Sequence, residues 1–316
     1  MILVISHAGD DHAAAVLGAL GRDEHPAVLL DTAKFPTEMT LDASMGTDDV
    51  RIAIAASDGA AVCLDDCRAG WWRRPRPYEL HPELDPTAAQ WTYQECHEAF
   101  AGVLASAPAS WINEPYADER ASHKPYQLTI AARLGIPFPQ TLITTSPEKA
   151  RAFIEANKHA GTIFKSFRAT EAQWRETRLV GKGELARLDE LRLAPTIFQQ
   201  RVDAVSDLRV TVVGDEVFAV EIDKQYSLYP HDYRMSMHTA EFRPVQLPEV
   251  WIVHLRRLMA VLGLVYGAVD LMRLPDGRLV FLEVNPSGEW LFVSDRSEQP
   301  ITEAMASLLS RFDKKE

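Results

Sequence analysis

Two short strands near the C-terminal end of the chain constrain its fold more than any other stretch. Asp276-Gly277 is a strong signal for a two-residue hairpin turn, and apolar strands flank it on both sides. With that turn as the loop, Asp270 lies directly opposite Glu283, and opposed residues have Cβ atoms about 4.5–5.5 Å apart. Asn285, two residues further on, lies on the same face. The sequence therefore predicts three oxygen-bearing side chains on one patch of a sheet.

The two carboxylates of this patch repel each other unless a cation neutralises them. Hard oxygen ligands suit Mg²⁺ or Mn²⁺, and Mg²⁺ commonly completes its shell with water and substrate phosphates. Asp270, Glu283 and Asn285 therefore predict a metal–nucleotide site. The alternative is an exposed hairpin face with solvated acids, and the apolar neighbours Val269 and Val284 count against it.

A metal–phosphate site also needs cationic side chains. Lys165 lies in the apolar strand TIFKSF, where a charge needs an anionic partner. Lys124 opens a helix, where its charge opposes the helix dipole unless it faces an anion. Arg209 alternates with Leu208 and Val210, so it points away from the core side, and its planar fork suits a terminal phosphate. For each cation alone, an ordinary surface or salt-bridge role is the alternative.

Composition excludes several classes of protein. The chain has 316 residues and a formal net charge of −12, which does not favour a general nucleic-acid binder. No apolar run approaches the ~18 residues of a membrane span, and the start of the chain is typical of a first strand. Neither GxxxxGK[ST] nor GxGxxG occurs in a suitable place. Cys63, Cys67 and Cys96 predict reduced thiols in a cytoplasmic protein, and no second pair completes a metal or redox site at Cys63 and Cys67.

The first ~110 residues alternate strand and helix patterns, including VRIAIAA and AVCLDD, which predicts a mostly parallel sheet with helices on its faces. His7, Asp10, Asp11 and His12 have the residue types of a metal site. Helix capping by an aspartate, with exposed histidines, is the favoured interpretation.

From Asn113 to Pro286 the chain resembles the ATP-grasp ligases. The matching pieces stand in the family's order: NEPYADERASHKPYQLTIAARLGIPFPQTLIT, TIFKSF, IFQQRV, DLRVTVVGDEVFAVEI, GAVDLM and FLEVNP. Within that family the chain is most similar to the peptide-tailoring ligases that make graspetides, the microviridin-type ω-ester and ω-amide peptides. The stretches that carry this likeness are GWWRRPRP, HDYR at 231–234 and FLEVNPSGEWLF. The ribosomal-protein glutamate ligases are more distantly similar.

The resemblance implies an α/β protein that is α+β in its C-terminal part, with an ATP-grasp fold after a Rossmann-like pre-ATP-grasp domain. Its three domains would span residues 1–112, 113–195 and 196–316, with ATP between the last two. The implied roles are phosphate binding by Lys124 and Lys165, adenine binding by Gln199, Gln200 and Val202, ribose binding by Asp207, γ-phosphate binding by Arg209, and coordination of two Mg²⁺ ions by Asp270, Glu283 and Asn285, with Mn²⁺ as an alternative metal.

The implied reaction converts a side-chain carboxylate of a precursor peptide into an acyl phosphate. An amine or hydroxyl then closes an ester or amide within the peptide. The carboxylate needs a cationic seat, for which Arg73, Arg74 and Arg234 are the candidates, and surface ion pairs are the alternative for the first two. A ligase that joins amino acids, or adds one to a protein or small molecule, is the alternative function. The intact metal set argues against a third reading, a non-catalytic peptide-binding protein.

Further expectations concern partners and loops. The segment 226–244 is expected to contact the peptide, a plain connecting loop being the alternative, and a homodimer is left open. No nucleic acid or membrane is expected as a partner. Departures from the family pattern are Gln200, where many members have Glu, and the loop after Lys165, which lacks glycines and leaves lid closure open. Residues 287–289 would face the reacting carboxylate.

Overall fold

A computed structural model describes residues 1–56, 61–167, 177–223 and 240–314. The strands are β1 (Ile2–Ile5), β2 (Ala27–Leu30), β3 (Met39–Met45), β4 (Val50–Ala56), β5 (Ala61–Cys63), β6 (Ala69–Trp72), β7 (Ser110–Ile112), β8 (Thr141–Thr144), β9 (Thr162–Lys165), β10 (Arg178–Leu179), β11 (Thr196–Gln200), β12 (Ser206–Val213), β13 (Glu216–Asp223), β14 (Phe242–Pro244), β15 (Tyr266–Arg273) and β16 (Leu279–Asn285). The α-helices are α1 (Asp11–Arg22), α2 (Pro86–Ser106), α3 (Pro115–Ser122), α4 (Lys124–Arg133), α5 (Pro147–Ala156), α6 (Lys182–Ala186), α7 (Glu249–Leu262), α8 (Leu291–Ser297) and α9 (Ile301–Asp313). Within these four ranges, no helix has the length and apolar character that crossing a bilayer requires.

The N-terminal part begins with the predicted parallel sheet, which has the strand order β2-β1-β6-β7. The fully buried strand β1 lies inside it. VRIAIAA and AVC do not join this sheet, contrary to the expectation, and form a separate antiparallel sheet in the order β3-β4-β5. The reason is the connection between β3 and β4, residues 46–49, which is too short for the crossover that parallel pairing needs.

The central sheet has the order β10-β9-β11-β8. One face packs against α5 and a short 3-10 helix, Leu188–Leu193, through a core that includes Leu188 and Phe198. The opposite face carries Lys165 and Gln199, because side chains alternate along each strand. The expected domain boundary after residue 195 falls directly before β11, a strand of this central sheet. The three-domain division stays a prediction.

The C-terminal sheet is antiparallel, in the order β14-β13-β12-β15-β16. Every residue of its middle strand β12 is buried. One face of the sheet packs on α4 and α7, where Val210 meets a core that includes Leu255. The other face shares a core with α8, α9 and the N-terminal sheet, so that Tyr266 and Met305 lie in one cluster with Val4. The first and last parts of the chain therefore have a common hydrophobic core.

The turn between β15 and β16 is one residue longer than predicted. Gly277 N–H donates to Leu274 O at 2.9 Å, and Leu274 N–H donates to Arg278 O at 2.8 Å. The loop therefore holds three residues, 275–277, and ends with Gly277 at φ 84°. The predicted two-residue turn is wrong. Directly beyond it the strands pair one residue out of the predicted register.

A bulge further along the hairpin restores that register. Leu271 pairs with Phe281, whereas Asp270 pairs with Glu283, so Leu282 is the extra residue on β16. The predicted pairing of Asp270 with Glu283 is confirmed, and Asn285 follows two residues later on the same strand.

Candidate active site

The two opposed acids of the hairpin each have a cation as partner. Arg209 Nη1 donates to Asp270 Oδ1 at 2.9 Å, and the Lys124 ammonium forms an ion pair with Glu283 Oε2. Two carboxylates can therefore lie side by side because two positive side chains neutralise them. The structure thus brings together four of the side chains predicted to hold metal and phosphate.

Helix α4 delivers Lys124 to the hairpin. The helix begins at Lys124, as predicted, and Gln127 follows three residues later on the same side of the helix. The Gln127 amide accepts from Val284 N–H at 2.9 Å and donates to Val284 O at 2.7 Å, so it fixes the edge strand beside Glu283. Sequence reasoning missed Gln127, since nothing local to it indicates a partner so distant along the chain.

Arg209 lies on the face of β12 opposite to Leu208 and Val210, as predicted, and it is buried. Its strand places it directly across from Asp270. The second terminal nitrogen, Nη2, donates to Glu289 O at 2.9 Å. Asp207, the predicted ribose ligand, is also buried and lies two residues earlier on the same face.

The predicted adenine and phosphate residues of the central sheet form a second group. Lys165 Nζ donates to Gln199 Oε1 at 3.3 Å, and Gln199 Nε2 donates to Thr141 Oγ1 at 2.9 Å. Gln200 ends β11 and Val202 follows it, both half-buried. The structure therefore brings Lys165 and Gln199 together on one face of the antiparallel pair β9 and β11.

The segment after β16, residues 286–290 (the loop 286–290), is fixed by buried polar groups. Asn113 Nδ2 donates to Pro286 O at 3.1 Å, and the Tyr266 hydroxyl donates to Gly288 O at 2.8 Å. Trp290 N–H donates to His12 Nε2 at 2.9 Å. None of Asn113, Tyr266 and His12 was singled out from the sequence for this role. Their contacts here bridge distant parts of the chain, which no local pattern records.

Arg73 is completely buried beneath this loop. Its Nε donates to Asp10 Oδ2 at 3.0 Å, and its Nη1 donates to Ser287 O at 2.6 Å and to Gly288 O at 2.9 Å. The side chain is 0% exposed. Burial raises the pKa of the Asp10 carboxyl, but hydrogen bonds from His12 and Ser6 and the charge of Arg73 outweigh it, so this pKa lies well below its ordinary value. The Asp10 carboxylate is therefore charged opposite Arg73, whose own pKa is lowered by burial.

Arg74 has the opposite character. Its side chain is 43% exposed, and Nη2 lies 2.5 Å from Glu289 Oε1. Of the two neighbouring arginines, only Arg74 presents its guanidinium to solvent.

The predicted capping of the first helix by an aspartate is confirmed, since Asp10 caps α1 by accepting a hydrogen bond from His12 N–H. The expected exposure of His12 is wrong, because its ring is buried and accepts hydrogen bonds from the start of α8.

Asp118 is a buried acid that the sequence analysis did not single out. Its Oδ2 accepts from Ser287 Oγ at 3.2 Å and from Asn113 Nδ2 at 3.4 Å. Burial raises the pKa of this carboxyl to about 6, although both hydrogen bonds and the charge of Arg73 oppose the shift. Asp118 is therefore a titratable group in contact with the loop 286–290.

Several predicted elements lie outside the described residues. They are Arg234, the stretch HDYR, most of the glycine-poor loop after Lys165, and most of the expected peptide-contacting segment. Of that segment, β14 is described, and it is an edge strand paired with β13.

The donor set of the hairpin fits a hard divalent cation. Asp270, Glu283 and Asn285 offer carboxylate and amide oxygens, which are ligands that Mg²⁺ prefers. In the part of the chain that the structure describes, no group of three or more His, Cys, Asp or Glu side chains is arranged as a metal site. A metal ion bound by Asp270 and Glu283 would therefore take its remaining ligands from Asn285, water or phosphate. Cys67 is a poor ligand, since burial raises the pKa of its thiol to about 11.

Comparison with known proteins agrees with this geometry. Residues 1–119 match the model of the MvdD pre-ATP-grasp domain, and residues 121–308 match that of the RimK-like ATP-grasp domain. No relative was found among curated proteins.

Solved structures extend the similarity to the whole chain. Macrocyclase MdnC from Microcystis aeruginosa MRC, bound with precursor peptide MdnA, is 29% identical with a TM-score of 0.88, over 98% of this chain and 99% of MdnC. A RiPP-associated ATP-grasp ligase of Chryseobacterium gregarium, in complex with ADP and a leader and core peptide, is 27% identical with a TM-score of 0.87, over 98% and 96%. Because the RimK-like model covers more than half of the sequence, the chain belongs to the RimK-like ATP-grasp family and is an ATP-grasp ligase.

Proposed function

We propose that this ligase closes intramolecular ester or amide bonds in a ribosomally made precursor peptide. It would transfer the terminal phosphoryl group of ATP to a side-chain carboxylate of the peptide, which releases ADP. A hydroxyl or amine of the same peptide would then attack the acyl phosphate and displace inorganic phosphate. The observation that carries the proposal is the likeness, over 98% of this chain, to a macrocyclase that was crystallised with its precursor peptide.

The charges of the site support a nucleotide held between the central and C-terminal sheets. Lys124 and Lys165 would hold phosphates, Gln199, Gln200 and Val202 the adenine, Asp207 the ribose, and Arg209 the terminal phosphate. Asp270, Glu283 and Asn285 would hold two Mg²⁺ ions, for which Mn²⁺ can substitute. Bound Mg²⁺ neutralises and orients the phosphoryl group that is transferred.

The protein's own contribution is positioning and charge. Such a transfer needs no nucleophilic side chain, because the substrate carboxylate itself attacks the terminal phosphate. Among the residues that the structure describes, Arg74 is the candidate to bind the substrate carboxylate, since its exposed guanidinium lies beside the loop 286–290. Arg234 stays a candidate outside the described residues. The buried Arg73 has no comparable access to a substrate.

A second function, the addition of an amino acid to a protein or small molecule, is compatible with the same family match. The family model that matches residues 121–308 is that of the RimK-like ligases, and it does not distinguish between ring closure and ligation. The two functions share every proposed ATP contact.

Mass spectrometry separates the two functions. The protein is incubated with ATP, Mg²⁺ and the short peptides that are encoded beside its gene. Ring closure removes one water from the peptide for each bond formed, whereas ligation adds the mass of a residue. Glu283→Gln should abolish either product, because it removes a metal carboxylate. A product of increased mass, or no modified peptide with any neighbouring reading frame, would contradict the macrocyclase proposal.

Two coarser expectations accompany this function. The supply of ATP and the free state of the three cysteines favour the cytoplasm. A homodimer stays a prediction, which the oligomeric state in solution would test.

A further inference from the structure

Arg73 is a charged side chain that the proposed reaction does not use, although it is among the most deeply buried groups of the molecule. It follows β6 at the carboxyl end of the parallel sheet, where its N–H donates to Ile5 O at 3.1 Å. Its guanidinium lies near two indole rings, 5.9 Å from the centroid of Trp71 and 5.5 Å from that of Trp290. A buried guanidinium is costly unless its partners are well placed, so its contacts show what it is retained for.

Those contacts lie on the loop 286–290. One terminal nitrogen of Arg73 donates to two successive carbonyls, of Ser287 and Gly288, while Nε is held by Asp10. Asp10 is in turn held by the Ser6 hydroxyl at 2.8 Å and caps α1. The N-terminal sheet therefore fixes the position of these two carbonyl groups through the side chain of Arg73.

Arg209 contacts the same loop one residue later. It donates to Glu289 O at 2.9 Å, and the Cβ of any side chain at position 288 would lie 3.0 Å from its Nη2 and would overlap the Cβ of Ala268. The loop backbone is thus in direct van der Waals contact with the Arg209 guanidinium, with no space for a side chain between them. A movement of carbonyls 287 and 288 must move the partner of Arg209.

We infer that Arg73 is a positioning residue, which holds the loop 286–290 so that Arg209 keeps its place between Glu289 O and Asp270. The chain of contacts runs from Asp10 through Arg73 to the loop, and from the loop to Arg209 and the hairpin. The inference rests on the proposed role of Arg209 at the terminal phosphate. It replaces the expectation that Arg73 itself binds the substrate carboxylate.

A role in stability alone would weaken all ligands together, so the test compares two nucleotides. ADP lacks the terminal phosphate and AMPPNP retains it. The ratio of their dissociation constants, measured with Mg²⁺ by calorimetry, therefore reports the contacts of the terminal phosphate, among them that of Arg209, and the variants identify which part of it depends on Arg209. For Arg209→Lys we expect AMPPNP to weaken about tenfold relative to ADP, the loss of one charge-assisted hydrogen bond.

Arg73→Lys should shift the same ratio in the same direction, by about five- to tenfold. Asp10→Asn should do so more weakly, because asparagine still caps α1 but no longer anchors the guanidinium by charge. If Arg73→Lys does not fold, Asp10→Asn decides the matter. The double variant Arg73→Lys/Arg209→Lys should be no worse than Arg209→Lys, since both changes remove one positioned contact.

Thr302→Val is the matched control. It removes the 3.0 Å bond from Trp290 Nε1 to Thr302 Oγ1 at the same junction without touching a loop carbonyl, so it should lower the melting temperature and leave the ratio unchanged. Equal weakening of ADP and AMPPNP in Arg73→Lys, independent multiplication of the two effects, or an unchanged ratio in Arg209→Lys would each overturn the inference. No peptide enters these measurements, so their outcome is separate from that of the mass test.

Discussion

At the scale of single residues, Asp118 is a buried acid whose protonation couples the stability of the fold to pH. Its ordinary pKa of 3.8 is raised to about 6 by burial. The folded chain therefore keeps a proton between about pH 4 and pH 6 that the unfolded chain has already released. This carboxyl stabilises the fold at low pH, and that contribution is lost as the pH rises through about 6.

Asp118→Asn should remove this dependence, because the amide oxygen can still accept the bonds from Ser287 and Asn113. Between pH 4 and pH 7 the free energy of unfolding of the wild type should fall by about 2–3 kcal/mol relative to the variant. Denaturant titrations at several pH values measure it. Asp276→Asn serves as control, since Asp276 is exposed and the bond from Arg278 lowers its pKa. Parallel pH profiles for wild type and Asp118→Asn would contradict the assignment.

At the scale of elements, the hairpin shows what a sequence can and cannot predict. The pairing of Asp270 with Glu283 was predicted from a turn that does not exist in that form. The turn holds one residue more than expected, and the bulge at Leu282 compensates for it. Gly277 suits both a two-residue and a three-residue turn, so its presence does not distinguish them. The compensation has a physical basis, because a strand with one buried face cannot keep a one-residue slip.

Two glycines, Gly277 and Gly288, flank β16 and should respond differently to substitution by alanine. Gly277 has φ 84° and open space around it, so Gly277→Ala should cost about 1 kcal/mol of stability from backbone strain alone. Gly288→Ala pushes a methyl group into Ala268 and against Arg209, which should cost about 1–3 kcal/mol and also weaken AMPPNP binding. Denaturant unfolding and calorimetry measure the two effects. If Gly277→Ala also weakened nucleotide binding, the backbone strain at position 277 would not be confined to the turn.

At the scale of the whole molecule, the common core of the first and last segments explains why some site residues could not be predicted. Periodicity and capping signals report neighbours a few residues away, and they indicated the strands that carry Arg209 and Asp270 and the helix that begins at Lys124. Asn113 and His12 reach residues more than 150 positions away, across a junction that only the folded chain creates. The antiparallel sheet β3-β4-β5 was missed for a different reason, since short apolar strands look alike in either orientation.

The pairing of Lys124 with Glu283 and of Arg209 with Asp270 has a thermodynamic consequence for the resting enzyme. The side chains proposed for metal and for phosphate neutralise one another, so either ligand alone must break an internal ion pair. When metal and nucleotide bind together, the two carboxylates can turn to the metal while Lys124 and Arg209 turn to the phosphates. Their binding is therefore linked, and the linkage is reciprocal.

Glu283→Gln should accordingly bind ADP in the absence of any metal more tightly than the wild type, by about tenfold, because Lys124 is released to the phosphates. Lys124→Met should bind Mn²⁺ alone more tightly, by a similar factor, which electron paramagnetic resonance of free Mn²⁺ detects. Asn285→Ala removes a proposed neutral metal ligand and should leave metal-free ADP binding unchanged. A protein that binds a nucleotide more tightly when Glu283 is neutralised is one in which the internal ion pair of Glu283 competes with the phosphates for Lys124.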